Sequence, residues 1–121
     1  RVCTYGSSYP GFYTAAGMID AHPAHVCAHP QAPIVDWFTG DDFHHHGAFW
    51  LPHAFRFFAS FGKARPELTT KNNPPFDFGT PDGYDFYLKT GPLYNFNERY
   101  FKNTVAFWNE MMKNDTYTEF W

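Results

Sequence analysis

The six residues Gly6-Ser7-Ser8-Tyr9-Pro10-Gly11 constrain this chain more than any other stretch. Ahead of them, residues 2–6 (Val-Cys-Thr-Tyr-Gly) read as a short strand entering a tight turn. Behind them, Phe12 to Ala21 reads as a helix, small and apolar enough to be buried. His22-Pro23 marks its end, because the residue before a proline is pushed out of the helical region. A second short strand is expected at Val26-Cys27-Ala28, ahead of Pro30 and Pro33. Strand, turn, helix and strand make a βαβ unit, which implies a parallel pair joined by a right-handed crossover. The expected fold class is α/β.

Those six residues fit Gly-x-Ser-x-x-Gly, a variant of the nucleophile-elbow pattern Gly-x-Ser-x-Gly. The requirement is geometric. A serine held on a strained strand-to-helix turn needs small neighbours, so that the backbones on either side can pass closely. Gly6 and Gly11 meet that need, and counting from Gly6 selects Ser8 over Ser7. The helix that follows favours developing negative charge at its N-terminus. The backbone N–H of Tyr9, the next residue, is the candidate oxyanion donor. The bland alternative, a Ser/Gly turn with no chemistry, loses weight because the pattern stands between a strand and a helix.

After residue 40 the pattern changes. Asp41-Asp42 reads as a helix start, with acids at the positive end of the dipole. Apolar residues from Phe43 to Phe61 recur with a broadly helical period, and Pro52 should kink or divide that stretch. Residues 62–82 read as a loop, 84–88 as a short helix, and 97–113 as a firmer one. Another helix is expected to begin at Thr116 or Thr118. Phe, Tyr and Trp make up 22% of the chain, 15 of them Phe, enough to build both a bulky core and the walls of a ligand pocket. Cys3 and Cys27 are too few for a disulfide scaffold and read as buried free thiols, unless their strands prove to be neighbours.

A net charge of −3, with Lys and Arg scattered, gives no footprint for nucleic acid or for an anionic membrane. No run approaches the roughly 18 apolar residues of a membrane span. No signal-peptide pattern opens the chain at Arg1, so localisation is not legible, and neither is oligomeric state.

Gly-Ser-Ser-Tyr-Pro-Gly-Phe-Tyr-Thr-Ala-Ala at 6–16, His-Pro-Ala at 22–24, Gln-Ala-Pro at 31–33 and Asp-Trp-Phe-Thr-Gly-Asp-Asp-Phe-His-His at 36–45 resemble one family. It is the Xaa-Pro dipeptidyl-peptidase-like acyl hydrolases, which include cocaine esterase, glutaryl-cephalosporin acylase and the α-amino-acid ester hydrolases. The tail, from Thr80-Pro81-Asp82-Gly83-Tyr84 through Trp108-Asn109-Glu110 to Trp121, resembles the helical cap of that group. The resemblance implies that residues 1–39 belong to an α/β-hydrolase core and 40–121 to the cap. It implies Ser8 as nucleophile, Tyr9 as oxyanion donor, and Asp42, with Asp41 beside it, as a site for a substrate's α-ammonium group. A buried ammonium needs such a fixed counter-charge. The bland reading of the two acids is helix capping. The substrate would be a small ester, amide or short peptide, cleaved without a cofactor. His25 and His29 stand where the family would have an aliphatic or small residue.

In α/β-hydrolases the catalytic Ser, acid and His follow one another along the chain. The last histidine here is His53, and no acid-bearing strand fits between it and Ser8. These 121 residues are thus expected to be an internal fragment, inactive alone, that carries the nucleophile without its partners. Two rival readings remain. One is a His-rich metal site, using His44-His45-His46 with His53, or the alternating His25, Cys27 and His29. The other is a non-catalytic aromatic binding module, which would be rich in strands.

Overall fold

The computed structural model describes all residues, 1–121, as two compact units, Arg1–His46 and Gly47–Trp121. In the first, β1 (Val2–Ser7) runs into α1 (Tyr9–Gly17), and β2 (His25–Gln31) pairs with β1 in parallel. The expected βαβ order is present, and each element differs from expectation at its ends. α1 begins at Tyr9 rather than Phe12, because Pro10 lies in its first turn. There a missing N–H costs nothing and the fixed φ already suits a helix. It stops at Gly17, four residues before Ala21, and Asp20 is left-handed at φ 49°.

β2 is longer than Val26-Cys27-Ala28 and runs straight through Pro30. Successive residues of a strand turn their backbone polar groups to opposite sides. The Gln31 carbonyl faces the β1 side, where it accepts the Ser8 N–H at 3.0 Å. Pro30 therefore faces the other way, and its absent N–H removes nothing from the β1–β2 ladder.

No helix starts at Asp41-Asp42. Asp36 Oδ1 accepts the N–H groups of Phe38 and Thr39, folding residues 36–39 into a turn. Asp41 Oδ2 accepts the Val35 N–H at 3.0 Å, so its carboxylate ties a loop rather than capping a helix. The short strand β3 (His44–His45) follows, with the His44 and His46 N–H groups bonded to the Trp37 and Thr39 carbonyls.

The second unit opens with the two-residue strand β4 (Ala48–Phe49) and then α2 (Leu51–Phe58). The helical stretch expected over 43–61 is reduced to these eight residues. Pro52 sits in the first turn, where a helix tolerates it, and Gly47 before it is left-handed at φ 82°. α3 (Gly83–Thr90) is capped by Asp82, whose Oδ1 accepts the Tyr84 N–H at 2.9 Å.

The single helix expected over 97–113 is broken. α4 (Tyr94–Phe96) passes into a π-helical turn (Asn97–Phe101), Lys102 and Asn103 are left-handed, and α5 (Ala106–Lys113) follows. Three asparagines hold the break together. Asn97 Nδ2 donates to the side-chain oxygens of Asn103 (2.8 Å) and Asn109 (2.9 Å), and Asn97 Oδ1 accepts the Asn103 N–H. No helix forms at Thr116 or Thr118; the Thr118 hydroxyl donates to Asn114 Oδ1 instead.

Much of the aromatic content forms this unit's core. Phe55, fully buried, has the rings of Phe76, Phe86, Phe96, Tyr100 and Phe101 around it at 5.0–5.7 Å, three of them edge-to-face. Edge-to-face packing lets the positive ring edge meet the negative ring face. Trp108, Val105 and Met111 complete the core from α5 and the residue before it. No helix is long and apolar enough to cross a membrane.

Candidate active site

The geometry at the end of β1 follows from two glycines. A Cβ on Gly6 would lie 2.1 Å from the Pro10 carbonyl oxygen, and one on Gly11 would lie 2.4 Å from the Gln31 carbonyl oxygen. Both distances are well inside van der Waals contact, and both obstructing atoms are backbone. Only glycine lets β1, α1 and β2 converge this closely.

Between the glycines, Ser8 adopts φ 64° and ψ −128°, a conformation that non-glycine residues adopt only when their surroundings force it. Those surroundings are explicit. The Ser8 N–H donates to Gln31 O at 3.0 Å, and the Ser8 carbonyl accepts the Phe12 N–H at 3.1 Å. The backbone is pinned on both sides while the residue itself is exposed. Tyr9 is the first residue of α1. Its N–H therefore belongs to the first turn, whose amides point out of the helix N-terminus. The Tyr9 ring packs edge-on against Tyr13 at 5.6 Å.

Asp41 and Asp42 lie in a half-buried bend of the same unit. Neither hydrogen-bonds Ser8. Their loop is tied to α1 through rings: Phe12 meets Trp37 at 6.1 Å, and Trp37 meets Phe43 edge-on at 4.8 Å. His44, next in the chain, is buried against Phe38 with ring centroids 4.5 Å apart. Burial holds its imidazole below the usual histidine range, and a hydrogen bond to the Trp37 backbone opposes that shift in part.

Cys3 and Cys27 are not buried thiols. They face each other across β1 and β2 and form a disulfide, with Cα atoms 4.7 Å apart. This removes the alternating His25, Cys27 and His29 as a donor set. His25 Nε2 is moreover in a 2.9 Å hydrogen bond with Thr4 Oγ1, and the His29 ring lies 5.4 Å from Tyr5. No three His, Cys, Asp or Glu side chains come together in a metal-holding group. In the second unit, Trp50, His53, Arg56, Phe78 and Tyr87 line a cavity of about 400 Å³. Trp50 and His53 stack there at 4.7 Å, and burial raises the Tyr87 hydroxyl above the usual tyrosine range against the opposing pull of Arg56.

Nothing in Pro30-Gln31 signals the contact that anchors Ser8 until the strand register is known. Arg56 carried no signal either.

The sequence model described as X-Pro dipeptidyl-peptidase (S15 family) matches residues 1–121. Among solved structures, the chain is similar to an aminopeptidase from a marine sediment archaeon, Thaumarchaeota archaeon, at 31% identity and TM-score 0.82. It is also similar to an α-amino acid ester hydrolase labelled with selenomethionine, at 25% identity and TM-score 0.78. Each likeness covers 100% of this chain and 19% of the other, so the chain spans about a fifth of the length of these relatives. No curated protein matches it.

Proposed function

The chain belongs to the X-Pro dipeptidyl-peptidase family, S15, and from that premise we propose that Ser8 is the nucleophile of a serine hydrolase. The solved relatives are hydrolases by name, an ester hydrolase and an aminopeptidase. The bond cleaved in the whole protein is an ester or amide, in an acyl ester, an α-amino ester or an Xaa-Pro peptide. The observation that carries the reading is the Ser8 backbone. A serine at φ 64° between a strand and a helix, with glycines cleared on both sides, is a strained arrangement that presents one hydroxyl outward. Strain of this kind persists where a site uses it.

The chemistry follows from that placement. Ser8 Oγ attacks the substrate carbonyl carbon and gives its proton to a general base, and the carbonyl oxygen becomes an oxyanion. The Tyr9 N–H, at the start of α1, faces that oxygen, aided by the field of the helix N-terminus. Collapse of the tetrahedral intermediate expels the alcohol or amine and leaves an acyl-enzyme, which water then hydrolyses. No histidine hydrogen-bonds Ser8 within these 121 residues. We therefore assign the base, and the acid that orients it, to other parts of the whole protein, and expect the 121-residue stretch alone to be inactive.

On this reading residues 1–39 contribute to the hydrolase core and residues 40–121 to a helical cap. Asp42 supplies the counter-charge for a substrate α-ammonium group, with Asp41 beside it and partly committed to the Val35 N–H. The test uses the whole protein with p-nitrophenyl acetate and an Xaa-Pro p-nitroanilide. Ser8→Ala should lower kcat by about 10⁴-fold or more, while Ser7→Ala retains turnover. Activity unchanged in Ser8→Ala would refute the assignment.

A further inference from the structure

We infer that the Cys3–Cys27 disulfide positions Ser8 by fixing the register of β1 against β2; this rests on the reading of Ser8 as nucleophile. The ladder between the two strands is irregular at one end. Val2 faces His25, yet Cys3 faces Cys27, so β2 carries one extra residue, Val26, at that point. From there the pairing is unbroken: Thr4 with Ala28, Tyr5 with His29, Gly6 with Pro30, and Ser7 with Gln31. The disulfide joins the first pair after the irregularity, where a choice between two registers is open. Its Cα separation of 4.7 Å is one a disulfide spans without moving the backbone.

At the other end of the same ladder stands the turn. The Gln31 carbonyl accepts the Ser8 N–H at 3.0 Å, and it is also the atom that a Gly11 Cβ would strike at 2.4 Å. One oxygen of β2 thus locates both Ser8 and the first turns of α1. Adjacent strand residues point their carbonyls to opposite sides, so a slip of one residue would turn this acceptor away and present another in the wrong direction. The other side-chain ties across the pair are noncovalent: Thr4 to His25 at 2.9 Å, Tyr5 to Gln31 at 3.1 Å, and the Tyr5 ring against that of His29 at 5.4 Å. The disulfide is the one covalent tie that holds the register.

A dithiol cleaves this bond by thiolate attack on one sulfur. Two electrons and two protons pass to Cys3 and Cys27, giving two thiols, and the reductant closes to its cyclic disulfide. Ser8 then loses its fixed position, and acylation slows while the strands remain folded.

The test uses the whole protein. Peptide mapping without reductant should recover Cys3 linked to Cys27. Acylation of Ser8 by p-nitrophenyl acetate is then followed in three forms at a temperature well below each form's unfolding midpoint. These are the oxidised protein, the dithiothreitol-reduced protein, and the Cys3→Ala/Cys27→Ala variant. The expected result is a fall of about tenfold or more in the acylation rate constant, read from the pre-steady-state release of p-nitrophenolate, in the second and third forms, with far-ultraviolet ellipticity unchanged. Reoxidation should restore the reduced protein. An absent linked peptide would overturn the inference. So would equal acylation rate constants in all three forms, or a loss of activity that merely tracks loss of ellipticity. Failure of the nucleophile assignment has a different signature, acylation of the oxidised protein that survives Ser8→Ala.

Discussion

The carbonyl oxygen of Gln31 accepts the Ser8 N–H at 3.0 Å and stands where a side chain on Gly11 would have to be. Ser8 and Gln31 are far apart in sequence, and their contact sets the shape of the turn after β1. Most of what distinguishes this turn from an ordinary Ser/Gly bend depends on that one oxygen.

Gly6 and Gly11 should not accept a methyl group. In Gly6→Ala the new carbon would meet the Pro10 carbonyl oxygen at 2.1 Å, and both atoms belong to regular elements that cannot give way easily. We expect a loss of about 2–3 kcal/mol and a displaced Ser8. Urea unfolding of the whole protein, run beside a Gly17→Ala control whose new carbon meets nothing, checks this.

Phe55 is the ring around which the second unit packs. Phe55→Ala removes a fully buried aromatic with five ring neighbours within 5.7 Å, and α2 and α3 cannot both collapse into the space left. The expected cost is about 3–5 kcal/mol, measured as a lower denaturation midpoint.

The asparagine clasp replaces the helical hydrogen bonds missing between α4 and α5. Asn97→Ala leaves the Asn103 N–H and the side chains of Asn103 and Asn109 without their shared partner. Stability should fall by about 1–2 kcal/mol. Hydrogen exchange should quicken over residues 102–105 ahead of the rest of the unit.

His44 makes stability depend on pH with a definite sign. Its folded-state pKa lies below the ordinary value of 6.5 because burial disfavours the imidazolium. Between those two values the unfolded chain binds the extra proton and the folded chain does not, so stability falls as pH drops below about 6.5. Once pH passes below the folded pKa the loss is complete and the curve flattens. His44→Gln should remove this contribution, which unfolding midpoints measured between pH 7.5 and 5 would reveal. Equal slopes in both proteins would mean that His44 is not the group responsible.

The parts legible in the sequence were those fixed by local chemistry. Gly6 and Gly11, set between a strand-like and a helix-like stretch, point to a tight turn, so the order of β1, Ser8 and α1 follows from the sequence while the ends of α1 do not. Helix length is poorly encoded locally. Asp41-Asp42 looks like a helix start, but the Val35 N–H lies close enough for Asp41 to tie a loop instead. Likewise, the apolar spacing of Tyr100, Phe101, Val105 and Trp108 suggests one helix. A competing set of Asn97, Asn103 and Asn109 side-chain bonds splits it. The disulfide depended on strand adjacency and register, which two isolated cysteines do not encode.

Covalent trapping at the turn after β1 tests the central claim most directly. The whole protein, treated with a fluorophosphonate and digested, should yield a single modified peptide with the adduct on Ser8. The adduct should persist in Ser7→Ala and disappear in Ser8→Ala. An adduct on Ser7 or on a residue outside this turn, or one that survives Ser8→Ala, would contradict the account.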